Sequence, residues 1–186
     1  MVLQAIKYQR GELQILDQLR LPHEEVYDNV ESSKDAWHAI KEMRTRGAPA
    51  IAIVAALGLA VELETIYRKK ELSDIAKEVK VFVDEKLQYL VTSRPTAVNL
   101  SDAANKLTKV VDKAASASGA TGFSVKDAYI QAAERMLVED VSDNQAIGYH
   151  GAEWILKHAA GSKDQVSIIT HCNTGYVVHN VLRDVD

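Results

Sequence analysis

Three short stretches of this sequence combine residue types that could bind an anion or activate a nucleophile. The first contains Arg46, Gly47, Ala48 and Pro49, just before an apolar segment, residues 50–63, that is typical of a buried helix, and Pro49 suits the first turn of that helix. A helix N-terminus offers free N–H groups and a positive dipole end, glycine lets a ligand approach the backbone, and arginine adds a charged fork for phosphate oxygens. The alternative is an ordinary turn between helices, with glycine and proline as punctuation.

The second stretch places Arg94 directly before Pro95, after a segment with helical periodicity. A loop stiffened by proline could present the guanidinium to an anion. The alternative is an exposed arginine near a helix C-terminus, where its charge is favourable to the helix dipole.

The third stretch contains His171 and Cys172, after the β-branched run 166–170. That run is typical of a buried strand in a parallel sheet, and ligands bind beyond the carboxyl ends of such strands. A thiol beside His171 and backbone N–H groups could have a lowered pKa and act as a nucleophile or an acid–base group. The alternative is a buried inert cysteine, which the polar neighbours disfavour.

Composition excludes several classes of protein. The chain has 186 residues, 47% of them hydrophobic and 26% charged, as expected for a globular protein. Its net charge of −4 argues against nucleic acid or an anionic membrane as the main partner. One cysteine excludes an intrachain disulfide framework, and the histidines lack metal-ligand spacing, so we expect no metal site.

Hydropathy indicates a soluble intracellular protein, and the single cysteine fits a reducing compartment. The longest apolar run, residues 48–60, is shorter than the roughly 20 residues needed to cross a bilayer. The N-terminus lacks the basic and apolar regions of a signal peptide. We expect a cytoplasmic location, with the nucleus as an alternative.

The elements that must position these stretches can be predicted from hydrophobic periodicity and turn signals. Alternation predicts short strands at residues 3–8, 12–16 and 25–27, paired in a small antiparallel sheet. Helices follow, with an N-cap at Ser32 or Ser33, then over residues 50–63, from Ser73 to a break at 93–96, and over 97–117, 124–138 and 142–159. The third helix should bury a stripe that includes Ile75, Val79, Phe82 or Val83, Leu87 and Leu90. Asp140, Asp143 and Asn144 are expected in the connection between the last two helices.

The three motifs, in this order, resemble the methylthioribose-1-phosphate isomerase family. The matching segments are residues 13–19, 43–53, 94–99, 143–148 and 170–175. No single motif is decisive, but the ordered set is specific. The resemblance implies conversion of 5-methylthioribose 1-phosphate to 5-methylthioribulose 1-phosphate in methionine salvage, without a cofactor.

The resemblance also implies roles for individual residues. Arg46, Gly47, Ala48 and Arg94 would bind the substrate, and Cys172 would stabilise the reacting centre. The sequence leaves open whether hydrogen moves between C1 and C2 as hydride or as proton. The implied partner is a phosphorylated sugar, with no nucleic acid and no membrane, and complete members of the family are expected to form homodimers.

The sequence departs from the family after the cysteine motif. The family continues as a Rossmann-like domain that supplies a catalytic Asp, a Gln and an Asn-Lys pair, and residues 176–186 do not resemble that continuation. We therefore expect a truncated isomerase of the α+β class, with an antiparallel sheet, a helical bundle and the first strand of a missing Rossmann-like domain. The expected divisions are residues 1–160, 161–175 and a divergent tail, 176–186.

We expect little isomerase activity from this chain alone. The rival interpretation is a non-catalytic module, of the kind found in the regulatory subunits of a translation-initiation exchange factor. Arg94 and Cys172 argue against it, because a scaffold needs neither a thiol nor an arginine at one cleft.

Overall fold

An antiparallel sheet precedes five helices in residues 3–158, the part of the chain that the computed structural model describes. The strands are β1 (Ile6–Gln9), β2 (Glu12–Leu16) and β3 (Tyr27–Asn29). The helices are α1 (Ser33–Lys41), α2 (Ala48–Arg68), α3 (Ala76–Val91), α4 (Val98–Ala115) and α5 (Gly122–His158). The predicted α+β class, with a small antiparallel sheet followed by a helical bundle, is confirmed.

The sheet has the strand order β1-β2-β3, with β2 antiparallel to both neighbours. Gly11 makes the turn between β1 and β2 with a φ of 91°, a conformation that side chains disfavour. Along β2, Leu13 and Ile15 are buried while Glu12 and Gln14 are exposed. This alternation gives the sheet one apolar face, which packs against α2.

α2 forms the centre of the helical part. It is apolar nearly all round, and residues 51–61 are buried without interruption. The helix has 21 residues, longer than predicted, and by length and hydropathy it could cross a membrane, but 67% of its apolar window is buried inside the structure. Such burial is the pattern of a core helix.

Two local features fix the approach of α1 to α2. Ser32 is the N-cap of α1, as predicted, and its side chain accepts a hydrogen bond of 3.3 Å from the backbone N–H of Asp35. Gly58 lies where the two helices touch, because a Cβ there would be 2.6 Å from the Cβ of Ala36.

α3 and α4 pack against α2 and each other along apolar stripes. The predicted stripe of α3 is confirmed at four positions, all buried: Val79, Val83, Leu87 and Leu90. Ile75, also predicted in the stripe, is instead 56% exposed. It is the N-cap of α3 with an extended backbone, so its side chain does not follow the helical stripe.

α5 is one continuous helix where the sequence predicts two. It runs through Asp140, Asp143 and Asn144, the residues expected to connect them. The side-chain amide of Asn144 donates to the backbone carbonyl of Asp140 at 2.7 Å, one turn earlier. The hydrogen-bonding needs of the Asn144 amide are therefore met within the helix, and the residue does not end it.

The chain divides into two compact units between Met136 and Leu137, inside α5. The predicted strand at residues 166–170 and Cys172 lie outside the described residues. The divisions expected at residues 160 and 175 stay predictions.

Candidate functional site

The loop between α1 and α2 carries the first predicted motif. α1 ends in a Schellman arrangement, in which the N–H of Met43 binds the carbonyl of Ile40 (3.2 Å) and the N–H of Arg44 binds that of Ala39 (2.9 Å). Met43 holds the left-handed position with a φ of 62°, where glycine is usual. The chain turns there and reaches α2 four residues later at Gly47.

The N-terminus of α2 is open to solvent. Gly47 is the N-cap with a φ of 96°, and it provides no side chain to cap the helix. Pro49 lies in the first turn, as predicted, and Ala48 and Pro49 are exposed. No acidic residue lies in that turn, so the positive dipole end and the free N–H groups of Ala48 and Ala50 are available to an anion.

Arg46 lies beside this helix start and is partly buried. Its Nε donates to the carbonyl of Met43 at 3.2 Å, which orients the guanidinium. In the part of the chain that the structure describes, no carboxylate pairs with Arg46 or with Arg94. Within residues 3–158, therefore, neither cation is neutralised by a carboxylate.

Arg94 lies in the connection between α3 and α4, where its carbonyl accepts from the N–H of Ala97 at 2.9 Å. Lys86 of α3 pairs with Glu62, in the C-terminal half of α2. Further along α3, Thr92 accepts a hydrogen bond of 2.9 Å from the indole of Trp37.

The helix directions follow from these contacts. At the N-terminus of α1, the backbone N–H of Ser33 donates to the carboxylate of Glu62 on α2. Ala36 lies beside Gly58, so its neighbour Trp37 is close to the level of Gly58 along α2. α3 thus runs antiparallel to α2, and its C-terminus points to the end of the bundle where α2 begins. Thr92 is at the level of Gly58, eleven residues along α2 from Gly47 and roughly 16 Å away at 1.5 Å per residue, so the meeting of Arg46 and Arg94 at one anion site stays a prediction.

An aromatic pair on the same helices was not assigned to the site from sequence. The rings of Trp37 and Tyr89 stack with centroids 5.8 Å apart, and Tyr89 is 38% exposed. The one signal in the sequence is that Tyr89 lies off the apolar stripe of α3. Met43, in the loop after α1, is 42% exposed, and Val98, the first residue of α4, is 77% exposed.

The predictions for the catalytic residue and for the metal remain predictions. Cys172, the predicted catalytic residue, lies outside residues 3–158. Within them no group of three or more His, Cys, Asp or Glu side chains could hold a metal ion. The absence of a metal and of a cofactor remains an expectation.

Comparison with known proteins places the chain in a family and beside named enzymes. Residues 44–185 match the family model described as the initiation factor 2 subunit family. A protein of Pyrenophora tritici-repentis, named methylthioribose-1-phosphate isomerase, is 68% identical over 94% of this chain and 44% of its own length. One of Aspergillus terreus with the same name is 60% identical, over 94% of this chain and 46% of its own length. The resemblance predicted from the motifs is confirmed, and the chain spans a little under half of these relatives.

Solved structures have the same fold. The crystal structure of 5-methylthioribose 1-phosphate isomerase from Pyrococcus horikoshii matches with a TM-score of 0.79 and 27% identity, over 98% of this chain and 49% of that one. The translation initiation factor eIF-2B, subunit delta, from A. fulgidus matches with a TM-score of 0.75 and 26% identity, over 98% and 52%.

Proposed function

Because the chain belongs to the initiation factor 2 subunit family and its relatives are named methylthioribose-1-phosphate isomerases, we propose that it forms part of such an enzyme. The reaction converts 5-methylthioribose 1-phosphate to 5-methylthioribulose 1-phosphate in methionine salvage. A hydrogen moves from C2 to C1, the C2 hydroxyl gives up its proton as it becomes the ketone, and the opened ring oxygen takes up a proton. The conversion is therefore redox-neutral overall and needs no net oxidant or reductant. The location is the cytoplasm, with the nucleus as an alternative, and the complete enzyme is a homodimer.

The contribution of residues 3–158 is to hold the substrate phosphate. The anomeric oxygen carries that phosphate, so the ring must open while the phosphate stays bound. The observation that supports this role is the uncapped N-terminus of α2, where Arg46 directly precedes the Gly47 N-cap. Gly47 and Ala48 let the phosphate approach the backbone N–H groups, and the two guanidinium groups neutralise its charge.

The chemical step is assigned to Cys172, whose thiol would stabilise the reacting centre. Exclusion of water from the closed site would strengthen each electrostatic contact with the sugar. Whether the hydrogen moves as hydride or as proton is decided by deuterium labelling at C2, since a proton exchanges with solvent and a hydride does not.

Calorimetric titration of the chain with 5-methylthioribose 1-phosphate tests the phosphate site. We expect Arg46→Ala and Arg94→Ala each to weaken the affinity about tenfold, because each removes one charge-assisted contact. Arg135→Ala is the matched control, since Arg135 is an exposed arginine on α5. Equal affinities for the control and the two site variants would contradict the proposed site.

Turnover is measured on the same samples by NMR. We expect the 186-residue chain to convert the substrate far more slowly than the Pyrenophora relative, of which it spans 44%. Loss of one general acid alone costs about 10²–10⁴-fold in rate. Turnover by this chain at the rate of that relative would show that the expectation is wrong.

The second candidate is a regulatory module of the translation-initiation type, which the fold shared with the A. fulgidus eIF-2B subunit favours. Such a module would bind no sugar phosphate, and Arg46→Ala and Arg94→Ala would leave the titration unchanged. The same experiment therefore separates the two functions.

A further inference from the structure

We propose that Asp28, acting through Arg44, is a positioning residue that holds the loop carrying Arg46 and Gly47 in the shape that receives the substrate phosphate. The inference rests on the proposed function, because it assigns that loop a ligand. Asp28 itself does not touch the ligand, and it belongs to the sheet instead of the helical bundle.

The guanidinium of Arg44 joins three elements. Its NH1 forms an ion pair with the carboxylate of Asp28 on β3, and its Nε donates to Glu42, the C-cap of α1, at 3.0 Å. The Arg44 side chain is 23% exposed and that of Asp28 is 29% exposed, so the pair is partly screened from water. Charge-assisted hydrogen bonds in such a position are stronger than those at a fully exposed site.

The backbone of Arg44 is tied to the same side of the molecule. Its carbonyl accepts a hydrogen bond of 2.9 Å from the N–H of Gln18, in the segment after β2. The next residue, Thr45, is only 2% exposed, and its N–H reaches the carbonyl of Ala39 at 3.3 Å. Side chain and backbone together attach the middle of the loop to the sheet and to α1.

The loop needs this support because its backbone is strained at its start, at Met43. Met43 has a φ of 62° and Gly47 has a φ of 96°, and only the second is a glycine. A residue other than glycine in the left-handed region persists where the surrounding contacts over-determine it. The contacts of Arg44 lie one residue after Met43, so they hold the strained turn in place.

The functional consequence is pre-organisation. Arg46 follows Arg44 by two positions, and Gly47 opens α2. A loop already fixed before binding loses less conformational entropy when the phosphate arrives, so the affinity is higher. The sheet thereby contributes to the site although no residue of it reaches the ligand.

The test compares three variants by two independent measurements. Asp28→Asn removes the charge, Asp28→Glu keeps it as the conservative variant, and Glu12→Gln removes another sheet carboxylate that contacts Gln9 instead of the loop. Hydrogen exchange reports the amides of Arg44 and Thr45, which both donate to the carbonyl of Ala39, with the buried amides of α2 as an internal reference. Titration reports the affinity for 5-methylthioribose 1-phosphate, and thermal unfolding confirms that each variant is folded.

We expect Asp28→Asn to speed exchange at the amides of Arg44 and Thr45 about tenfold while the amides of α2 are unchanged, and to weaken the affinity about fivefold. Asp28→Glu should keep most of the slow amide exchange and most of the affinity, and Glu12→Gln should match the wild type in both measurements. The inference is overturned if exchange in the loop is the same in Asp28→Asn and Glu12→Gln, or if the loop loosens while the affinity stays that of the wild type. A wild-type chain that binds no sugar phosphate at millimolar concentrations overturns the proposed function, and with it the inference, whatever the exchange data show.

Discussion

At the residue scale, Lys126 is a buried cation with one carboxylate partner. It is 3% exposed, and its Nζ lies 2.9 Å from Glu64 and 4.1 Å and 4.9 Å from the ring centroids of Tyr67 and Phe123. Glu64 has a second cation, Arg68, at 3.1 Å. Burial raises the pKa of Glu64, but the hydrogen bonds and charges of Lys126 and Arg68 outweigh it, so the pKa lies below its ordinary value.

The two partners of this ion pair are not equivalent. Glu64→Gln leaves a buried ammonium without a counter-charge, and we expect it to lower the free energy of unfolding by about 3 kcal/mol. Lys126→Met keeps the packing against both rings and leaves Glu64 paired with Arg68. We therefore expect it to lower the free energy of unfolding by only about 1 kcal/mol. Urea unfolding measures both, and a larger loss in Lys126→Met would contradict this account.

At the element scale, two helices end in a left-handed residue that is not glycine. α1 does so at Met43, and α2 does so at Lys70, with a φ of 60°. The N–H of Lys70 binds the carbonyl of Tyr67 (2.9 Å) and that of Glu71 binds the carbonyl of Ile66 (3.0 Å), so the arrangement at the end of α2 repeats that of α1.

Lys70→Gly is expected to stabilise the protein by about 0.5–1 kcal/mol, because it removes the steric cost of the left-handed conformation and Lys70 is exposed. Lys69→Gly is the matched control one position earlier, at a φ of −77°, where glycine has no advantage and the extra freedom of the unfolded chain should destabilise by a similar amount. Chemical denaturation at equal protein concentration measures both changes. Shifts of the same sign would contradict the explanation.

At the scale of the whole molecule, a polar cluster joins the first strand to the last described helix. Glu134 of α5 pairs with Arg10 at 2.6 Å and accepts a hydrogen bond of 3.0 Å from the hydroxyl of Tyr8. Asp127 also pairs with Arg10, at 3.2 Å. The hydrogen bond from Arg10 holds the pKa of Glu134 below its ordinary value, although burial opposes it. Burial, and then the bond to Glu134, raises the pKa of Tyr8.

This cluster predicts a dependence of stability on pH. A carboxylate whose folded pKa is lowered contributes stability above its unfolded pKa, about 4.3 for Glu, and that stability is lost as the pH falls through the folded pKa. We expect the free energy of unfolding to fall between about pH 5 and pH 3, and Glu134→Gln to reduce the fall by about 0.5–1 kcal/mol because the pair is part-exposed. Asp102→Asn, in an exposed pair on α4, is the control. Identical pH profiles for the wild type and Glu134→Gln would exclude this role.

Much of the local structure followed from sequence because its signals act within a few residues. The strand at residues 12–16, the cap at Ser32 and the proline in the first turn of α2 all lie where they were predicted. The alternation of a strand, the capping of a helix and the fixed φ of proline each depend only on residues that are close in sequence. The order of the motifs was also sufficient to identify the family, since that order is a property of the sequence alone.

Tertiary structure decided what depends on distant partners. Asp140 and Asn144 are typical of a connection, yet they continue α5, since their side-chain and backbone groups can be satisfied on either kind of backbone. Val98 is apolar yet exposed, because burial is set by the neighbours present at that end of α4. The pairing of Asp28 on β3 with Arg44, and the antiparallel course of α3 beside α2, follow from the directions in which the sheet and the helices pack. Those directions are set by side-chain shape across elements far apart in the chain, for which hydrophobic periodicity carries no signal.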